Sequence, residues 1–122
     1  RDGKLSVVDL KTGRRPPTRA EVAEHTQLGV YQLAARLGAF EALAPGIREV
    51  AEPSLLQLRH GGALPERQFQ PVLPEGPSWL TEKLEQAVEI LQRGTFEARE
   101  GPQCAWCAFG SSCPAINPGG ME

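Results

Sequence analysis

Asp9 and Lys11 are the residues near the start of the chain whose types and spacing best fit a chemical role. They end an apolar, β-branched run and precede a Thr-Gly pair typical of a turn, in the segment Leu5-Ser6-Val7-Val8-Asp9-Leu10-Lys11-Thr12-Gly13. The segment predicts a buried strand, on which residues two apart point to the same face. The carboxylate can then hold a divalent cation beside an ammonium that acts on a water or a phosphate. An isolated Asp-x-Lys is also typical of an exposed ion pair of little energetic consequence.

The composition fits one small domain and argues against several classes of protein. The chain has 122 residues, 40% of them hydrophobic, and its 13 Gly and 11 Pro indicate many turns. Its net charge is −2, so it lacks the excess of Lys and Arg that gives many DNA-binding domains a broad basic face. Because no apolar run approaches roughly 20 residues, we expect no membrane span, and we expect no signal peptide.

The first residues and the loop after the first strand add two expectations. The start, Arg1-Asp2-Gly3, lacks a methionine and carries a hairpin signal that indicates a preceding strand. We therefore interpret the chain as a fragment, with partners of Asp9 upstream. The segment Gly13-Arg14-Arg15-Pro16-Pro17 predicts a basic loop, since its prolines disfavour regular structure. Arg14 and Arg15 are candidate phosphate contacts so close to the Asp-x-Lys pair, and a solvated connector is the alternative.

A capped helix is predicted after this loop. Thr18 and Glu21 match the capping box, and the helix should run from Arg19 to Phe40. Apolar positions spaced by three and four form one stripe, made of Val22, Thr26, Val30, Leu33, Leu37 and Phe40.

Two polar residues of this helix are candidate site residues. Gln27 and Tyr31 are four apart and share a face, from which both can reach a metal-bound water or a phosphate beside the strand end. Each is also, by itself, an ordinary polar helix position. His25 is interpreted as solvent-facing or hydrogen-bonded, without a role.

Two further strands and one helix are predicted in the second half of the chain. Ser54–Arg59 has the pattern of a strand, and Gln68–Leu73 is a weaker candidate that Pro71 would confine to a sheet edge. Ser78 can cap a helix that runs to Arg93. Its apolar face is interpreted as core and comprises Trp79, Leu80, Leu84, Ala87, Val88 and Leu91.

The three cysteines lie close together in the tail, in the segment Cys104-Ala105-Trp106-Cys107-Ala108-Phe109-Gly110-Ser111-Ser112-Cys113-Pro114. Cys-x-x-Cys brings two thiolates within reach of one metal centre, and the third cysteine extends the set. A four-ligand site then needs one more residue, which should come from upstream of the chain or from His25 or His60. A disulfide to Cys113 is the alternative, although no secretion signal supports it.

Three of these segments, in order, carry a resemblance to a known family. They are Val7-Val8-Asp9-Leu10-Lys11-Thr12-Gly13, Gln27-Leu28-Gly29-Val30-Tyr31 and the tail Cys104-x2-Cys107-x5-Cys113-Pro114. Together they resemble the RecB-like branch of the PD-(D/E)xK nucleases, over Lys4 to Pro114. Within it they are most similar to the iron–sulfur nuclease domains at the C-termini of AddB- and AdnAB-type helicase–nucleases. Single-domain CRISPR-associated nucleases and RecB-family exonucleases share the pattern.

The resemblance implies a role for each matching position. Asp9 would be the second acid of the nuclease motif and a ligand of Mg²⁺ or Mn²⁺, to which Leu10 can add its carbonyl. Lys11 would act on the attacking water or the scissile phosphate, and Gln27 and Tyr31 would position the substrate or the lysine. The last three ligands of a structural [4Fe–4S] cluster, for which zinc is the alternative, would be Cys104, Cys107 and Cys113.

The resemblance also implies a fold and an incomplete site. The expected fold is α/β, a restriction-endonuclease-like mixed sheet flanked by helices, truncated at its N-terminal side and followed by a cysteine-rich tail. Residues 1–101 would be the C-terminal part of the nuclease domain, and residues 102–122 the cluster-binding tail. The family's first metal-binding aspartate and first cluster cysteine lie upstream, so we expect residues 1–122 to be inactive alone.

The implied function is Mg²⁺- or Mn²⁺-dependent, exonuclease-like hydrolysis of DNA phosphodiesters at single-stranded ends, in double-strand-break repair or recombination. The partners would be DNA and a helicase on the same chain or a partner subunit, in the bacterial cytoplasm and associated with the nucleoid. One alternative is a DNA-binding or scaffolding module that does not use its nuclease centre and is stabilised by an iron–sulfur or zinc site. Another is a zinc-ribbon-like tail on an unrelated α/β domain. The retained acid, lysine, glutamine and tyrosine favour the enzyme.

Overall fold

The computed structural model describes residues 3–59 and 64–118. Asp2 of the expected hairpin turn and His60, a candidate metal ligand, lie outside the described residues. The chain divides into two compact units, residues 1–85 and 86–122. The expected boundary between a nuclease part and a cluster-binding tail at residue 101 stays a prediction.

A mixed three-stranded sheet forms the centre of the first unit. Strands β1 (Val8–Lys11), β2 (Ser54–Gln57) and β3 (Glu66–Phe69) lie in the order β1-β2-β3. β1 runs parallel to β2, and β3 runs antiparallel to β2. Helices α1 (Arg19–Ala23) and α2 (Thr26–Arg36) form the long connection that two parallel strands require. The predicted α/β class is confirmed.

The remaining elements begin at the end of the first unit. Helix α3 (Trp79–Arg93) starts there and ends in the second unit, which also holds two short 3₁₀-helices, Pro102–Trp106 and Gly110–Ser112. The helix predicted from Ser78 to Arg93 is thus confirmed. No helix within the described ranges is long and apolar enough to cross a lipid bilayer.

β1 is not the buried strand that its composition predicts. Its side chains alternate between the two faces: Val8 and Leu10 are 42% and 60% exposed, whereas Asp9 and Lys11 are half-buried. Among the described strands β1 pairs only with β2, so it forms one edge of the sheet. An edge strand in a sheet this small has little structure to cover its second face, and the apolar side chains there stay exposed.

β3 begins earlier than predicted, at Glu66 rather than Gln68, and ends at Phe69. Pro71 lies beyond the strand because proline has no N–H to contribute to a ladder. β2 lies within the strand predicted over Ser54–Arg59 but stops at Gln57.

The prediction of a single helix from Arg19 to Phe40 is wrong, because the structure contains two helices in that range. The capping box is confirmed: the Thr18 hydroxyl accepts from the Glu21 N–H at 3.3 Å, and the Glu21 carboxylate accepts from the Thr18 N–H at 2.6 Å. α1 then stops, and His25 adopts an extended backbone before α2 begins.

The break also invalidates the predicted apolar stripe, because helical periodicity does not carry through an extended residue. Thr26, Val30 and Leu37 are exposed. The buried face of α2 consists instead of Leu28, Gly29, Gln32 and Ala35. Leu28 forms the centre of the core with Val22 and Leu55.

Helix α2 packs closely on the start of α3 at Gly29. A Cβ at this position would lie 2.8 Å from the end of the Trp79 ring and 3.3 Å from the Leu80 methyl groups, so only glycine permits this approach without rearrangement. Leu80 is buried, but further along the helix Val88 and Leu91 are exposed. The apolar face predicted for α3 is therefore core only at its start.

Two fully buried glutamines connect the helix break to the segment after β3. The Gln70 side-chain amide donates at 3.0 Å to both the Val22 and His25 carbonyls, which flank the break. The Gln32 amide donates to the Gln70 side-chain oxygen at 3.0 Å, and its own oxygen accepts from the Leu73 N–H at 2.8 Å. We call Gln32 and Gln70 the buried glutamine pair.

Replacement of Gln70 by alanine should destabilise the domain. It removes three buried hydrogen bonds, two donated by Gln70 and one accepted from Gln32, and a typical hydrogen bond contributes about 1 kcal/mol. We expect the free energy of unfolding in urea to fall by about 2 kcal/mol or more. The matched control is Gln92→Ala, since Gln92 is an exposed glutamine on α3. Equal stability of the two variants would show that the pair does not hold the break.

Candidate functional site

The side-chain amide of Gln27 is hydrogen-bonded to three other polar side chains, those of Asp9, Lys11 and Tyr31. Its oxygen accepts from Lys11 Nζ at 2.8 Å, and its nitrogen donates to Asp9 Oδ1 at 3.3 Å and to the Tyr31 hydroxyl at 2.9 Å. Lys11 Nζ also lies 2.7 Å from Asp9 Oδ2. The structure thus brings together the four residues that the sequence predicts to be catalytic, and their catalytic roles stay a prediction.

The chemistry of its neighbours fixes the orientation of the Gln27 amide. An ammonium can only donate hydrogen bonds and an ionised carboxylate can only accept them. The amide oxygen must therefore face Lys11 and the nitrogen must face Asp9. A glutamate would repel Asp9 and an apolar residue would bond neither charge, so this position selects an amide.

Asp9 Oδ2 is the atom of the site best suited to bind a cation. It is buried and accepts no hydrogen bond of acceptable angle within the described part of the chain, although Lys11 lies within ion-pair distance. The distance establishes the charge pairing, and the oxygen has no hydrogen-bond partner in the described part of the chain. A divalent cation prefers such a carboxylate oxygen.

The ligand set for a cation is incomplete among the described residues. In residues 3–59 and 64–118, no three His, Cys, Asp or Glu side chains lie close enough together to hold a metal ion. Asp9 therefore fits as one ligand of a divalent cation, and further ligands would have to come from elsewhere.

Parallel pairing and the core determine where the four side chains lie. In the β1–β2 register, Asp9 lies opposite Leu55 and Lys11 opposite Gln57. Leu55 packs in the core with Leu28 of α2, and Tyr31, one turn further along α2, packs against the same cluster. The core contact thus places the polar face of α2 beside the end of β1.

An open cleft of about 380 Å³ includes Lys11 in its lining. It is lined by Lys11, Gly13, Arg15, Pro16, Pro17, Glu21, His25 and Gln57. Of the two arginines predicted to contact phosphate, only Arg15 lines the cleft, and both are exposed. The Leu10 side chain points to solvent, and its carbonyl stays a predicted ligand.

His25 lies in this region, although the sequence suggested it only as a possible fourth ligand of the cysteine site. It is half-buried, lines the cleft, and its Nδ1 is buried without a hydrogen-bond partner in the described ranges. Burial lowers its pKa below the ordinary value, the charge of Lys11 lowers it further, and Asp9 opposes the shift. The imidazole is therefore neutral at pH 7. Its only sequence signal is its position two residues before Gln27.

The cysteines belong to the second unit and are free thiols. Cys104 Sγ accepts a hydrogen bond from the Gly101 N–H at 3.2 Å, and Cys107 is exposed. Backbone N–H groups directed at sulfur stabilise thiolate ligands. Cys104 thus has an environment that fits a metal-bound sulfur, although the three cysteines are not gathered around one point.

Comparison with protein families agrees with this geometry. A family model described as the PD-(D/E)XK nuclease superfamily matches residues 1–114. The chain belongs to the PD-(D/E)XK nuclease superfamily. Its mixed sheet with flanking helices is consistent with the restriction-endonuclease-like fold, and membership suggests that the protein is a nuclease. PD-(D/E)XK nucleases typically use divalent metals. No curated protein sequence matches the chain significantly.

The lowered pKa of His25 predicts how stability depends on pH. The folded domain binds fewer protons at this site than the unfolded chain, whose histidine titrates near 6.5. The stabilisation is complete above about pH 6.5 and is lost as the pH falls below it. We expect the free energy of unfolding to decrease between about pH 7.5 and about pH 5.5, and to decrease less in His25→Gln. The same slope in both proteins, measured by urea unfolding, would contradict this assignment.

Proposed function

We propose that the chain is part of a RecB-like, Mg²⁺- or Mn²⁺-dependent deoxyribonuclease that hydrolyses phosphodiesters at single-stranded DNA ends. Superfamily membership supports nuclease chemistry. The observation that carries the finer proposal is Lys11, whose ammonium lies 2.7 Å from Asp9 Oδ2 and 2.8 Å from the Gln27 oxygen at the end of β1. An ordered lysine beside a carboxylate can stabilise the charge that builds up on a phosphate and help to hold a divalent cation.

Lys11 is assigned to the phosphate or to the attacking water. Its ammonium has three N–H donors, of which one bonds the Gln27 oxygen, and the Asp9 carboxylate lies within ion-pair distance. An N–H donor therefore remains for a phosphate oxygen or a water, and the side chain is 31% exposed. Because Gln27 holds the ammonium in place, its charge is available where negative charge builds up in the transition state.

Asp9 is assigned to the divalent cation through Oδ2, with the Leu10 carbonyl as a second oxygen ligand. When bound, such a cation polarises the phosphate and lowers the pKa of a coordinated water. Gln27 orients Asp9 as well as Lys11, and the Tyr31 hydroxyl orients Gln27. The remaining acid would lie upstream of these residues or on another chain, so residues 1–122 alone should be inactive.

The three cysteines are assigned to a structural [4Fe–4S] cluster whose fourth ligand lies upstream, with zinc as the alternative metal. Their spacing and the Gly101 N–H directed at Cys104 support metal-bound thiolates. The cluster would connect the tail to a distant part of the chain, as a crosslink does.

We assign the enzyme to double-strand-break repair or recombination, with a helicase on the same chain or on a partner subunit supplying single strands. The corresponding location is the bacterial cytoplasm at the nucleoid. The alternative is a scaffolding module that binds DNA without cutting it. The intact hydrogen bonds among Asp9, Lys11 and Gln27 favour the enzyme, since an unused centre has no need to keep them.

Replacement of Lys11 by alanine tests the nuclease. In the full-length protein with Mg²⁺ or Mn²⁺, we expect cleavage of single-stranded DNA to fall at least about 100-fold, the effect of removing one transition-state donor. Binding of the same DNA should change by about twofold, because one phosphate contact among many is lost. Lys83→Ala removes a lysine from an exposed pair with Glu24 and should cut normally. DNA binding without cleavage by wild type and both variants would instead support the scaffold.

Metal analysis tests the cysteine site separately. The full-length protein, purified without oxygen, should contain iron and acid-labile sulfide in equal amounts, and Cys107→Ser should lose both. Ser111→Ala, in the same tail, is the control that should retain them. Zinc without sulfide would overturn the cluster and leave the nuclease assignment standing.

A further inference from the structure

The cleft beside Lys11 has features that the proposed cleavage chemistry does not use. Its volume of about 380 Å³ lies within the range of about 300–1,000 Å³ that is usual for small-ligand sites. Of the candidate catalytic residues Asp9, Lys11, Gln27 and Tyr31, only Lys11 lines this cleft. A group bound there would lie next to whatever Lys11 contacts.

The charges around the cleft suit one phosphate. Lys11 and Arg15 are cations, and Glu21 is the one acidic residue that lines it. Glu21 accepts hydrogen bonds in the capping box, which lower its pKa, and Arg15 contributes to the same shift. The carboxylate is thus ionised and bonded to the helix start, and an anion has its attractive contacts at Lys11 and Arg15.

The rest of the lining suits a flat, weakly polar group. Pro16 and Pro17 are half-buried and present apolar rings, and His25 presents a neutral imidazole. Gln57 contributes an amide at the end of β2, held by a 3.0 Å bond to Gln68, which in turn donates to the Pro17 carbonyl at 2.8 Å. Rings next to an ordered amide match the face and edge of a nucleobase.

We propose that this cleft binds the nucleotide adjoining the scissile phosphate of single-stranded DNA, with its base against Pro16, Pro17 and His25. The inference rests on the proposed function and names the substrate feature that the site recognises: a base that is free of its partner strand and out of the stack. Double-stranded DNA can present such a base only at the free-energy cost of unpairing it. The cleft therefore gives a reason for a single-strand preference in a chain that has no excess of Lys and Arg over Asp and Glu.

Gly13→Leu is the variant that fills the cleft without removing a charge. Gly13 lines the cleft, and an added Cβ would meet nothing within 4 Å. Its backbone is not in the left-handed region, so a larger residue causes no strain there. The matched control is Thr12→Leu, because Thr12 is the exposed neighbour and does not line the cleft.

The experiment compares two labelled single strands of equal length, one ordinary and one with abasic positions, bound to the full-length protein in EDTA. Fluorescence anisotropy should show that wild type binds the ordinary strand about fivefold more tightly, a modest effect for base contacts. Gly13→Leu should lose this preference, while Thr12→Leu keeps it. Arg15→Ala should weaken binding of both strands equally, since both carry the same phosphates.

Parallel cleavage assays with Mg²⁺ separate this inference from the proposed function. A wild-type protein that cuts DNA but binds both strands equally overturns the cleft assignment alone, as does a Gly13→Leu variant that keeps the preference. A wild-type preference that Gly13→Leu abolishes, without any cleavage, supports the cleft as a nucleotide site and overturns the nuclease.

Discussion

The hydrogen bond between the buried side chains of Gln32 and Gln70 is the interaction on which the placement of the site depends. Gln70 adds a second hydrogen bond to the carbonyls of Val22 and His25 at the break between α1 and α2, and Gln32 of α2 bonds Gln70. A side-chain amide buried without hydrogen-bond partners is costly. The hydrogen bonds of Gln32 and Gln70 therefore fix both the break and the rotation of α2 about its own axis. That rotation gives one face of α2 to the core and presents Gln27 and Tyr31 to the end of β1.

Local signals in the sequence predicted the parts of the fold that depend on local chemistry. The capping box at Thr18 and the helix between Ser78 and Arg93 were recognisable from neighbouring residues. The break at His25 was not, because no glycine or proline marks it and its carbonyl is bonded by Gln70, which is 45 residues away in sequence. A tertiary hydrogen bond thus outweighed a regular apolar pattern that favoured one long helix.

The candidate site was predictable to the extent that spacing determines geometry. Alternation along a strand predicted that Asp9 and Lys11 would meet, and helical spacing predicted the same for Gln27 and Tyr31. The cleft was not predictable, since it is formed by the proline loop, the helix break and the end of β2, three segments that only the fold brings together. For the same reason the sequence did not predict that His25 lines this cleft.

β1 carries two charged side chains on one face and Val8 and Leu10 on the other, and among the described strands it is paired along one edge. Unpaired N–H and C=O groups on a sheet edge can bond another extended segment. A segment that pairs there would hold the backbone from which Asp9 and Lys11 project. The positions of the Asp9 and Lys11 side chains therefore depend on what pairs with the free edge of β1. A segment that ordered this edge would also order the Asp9 carboxylate.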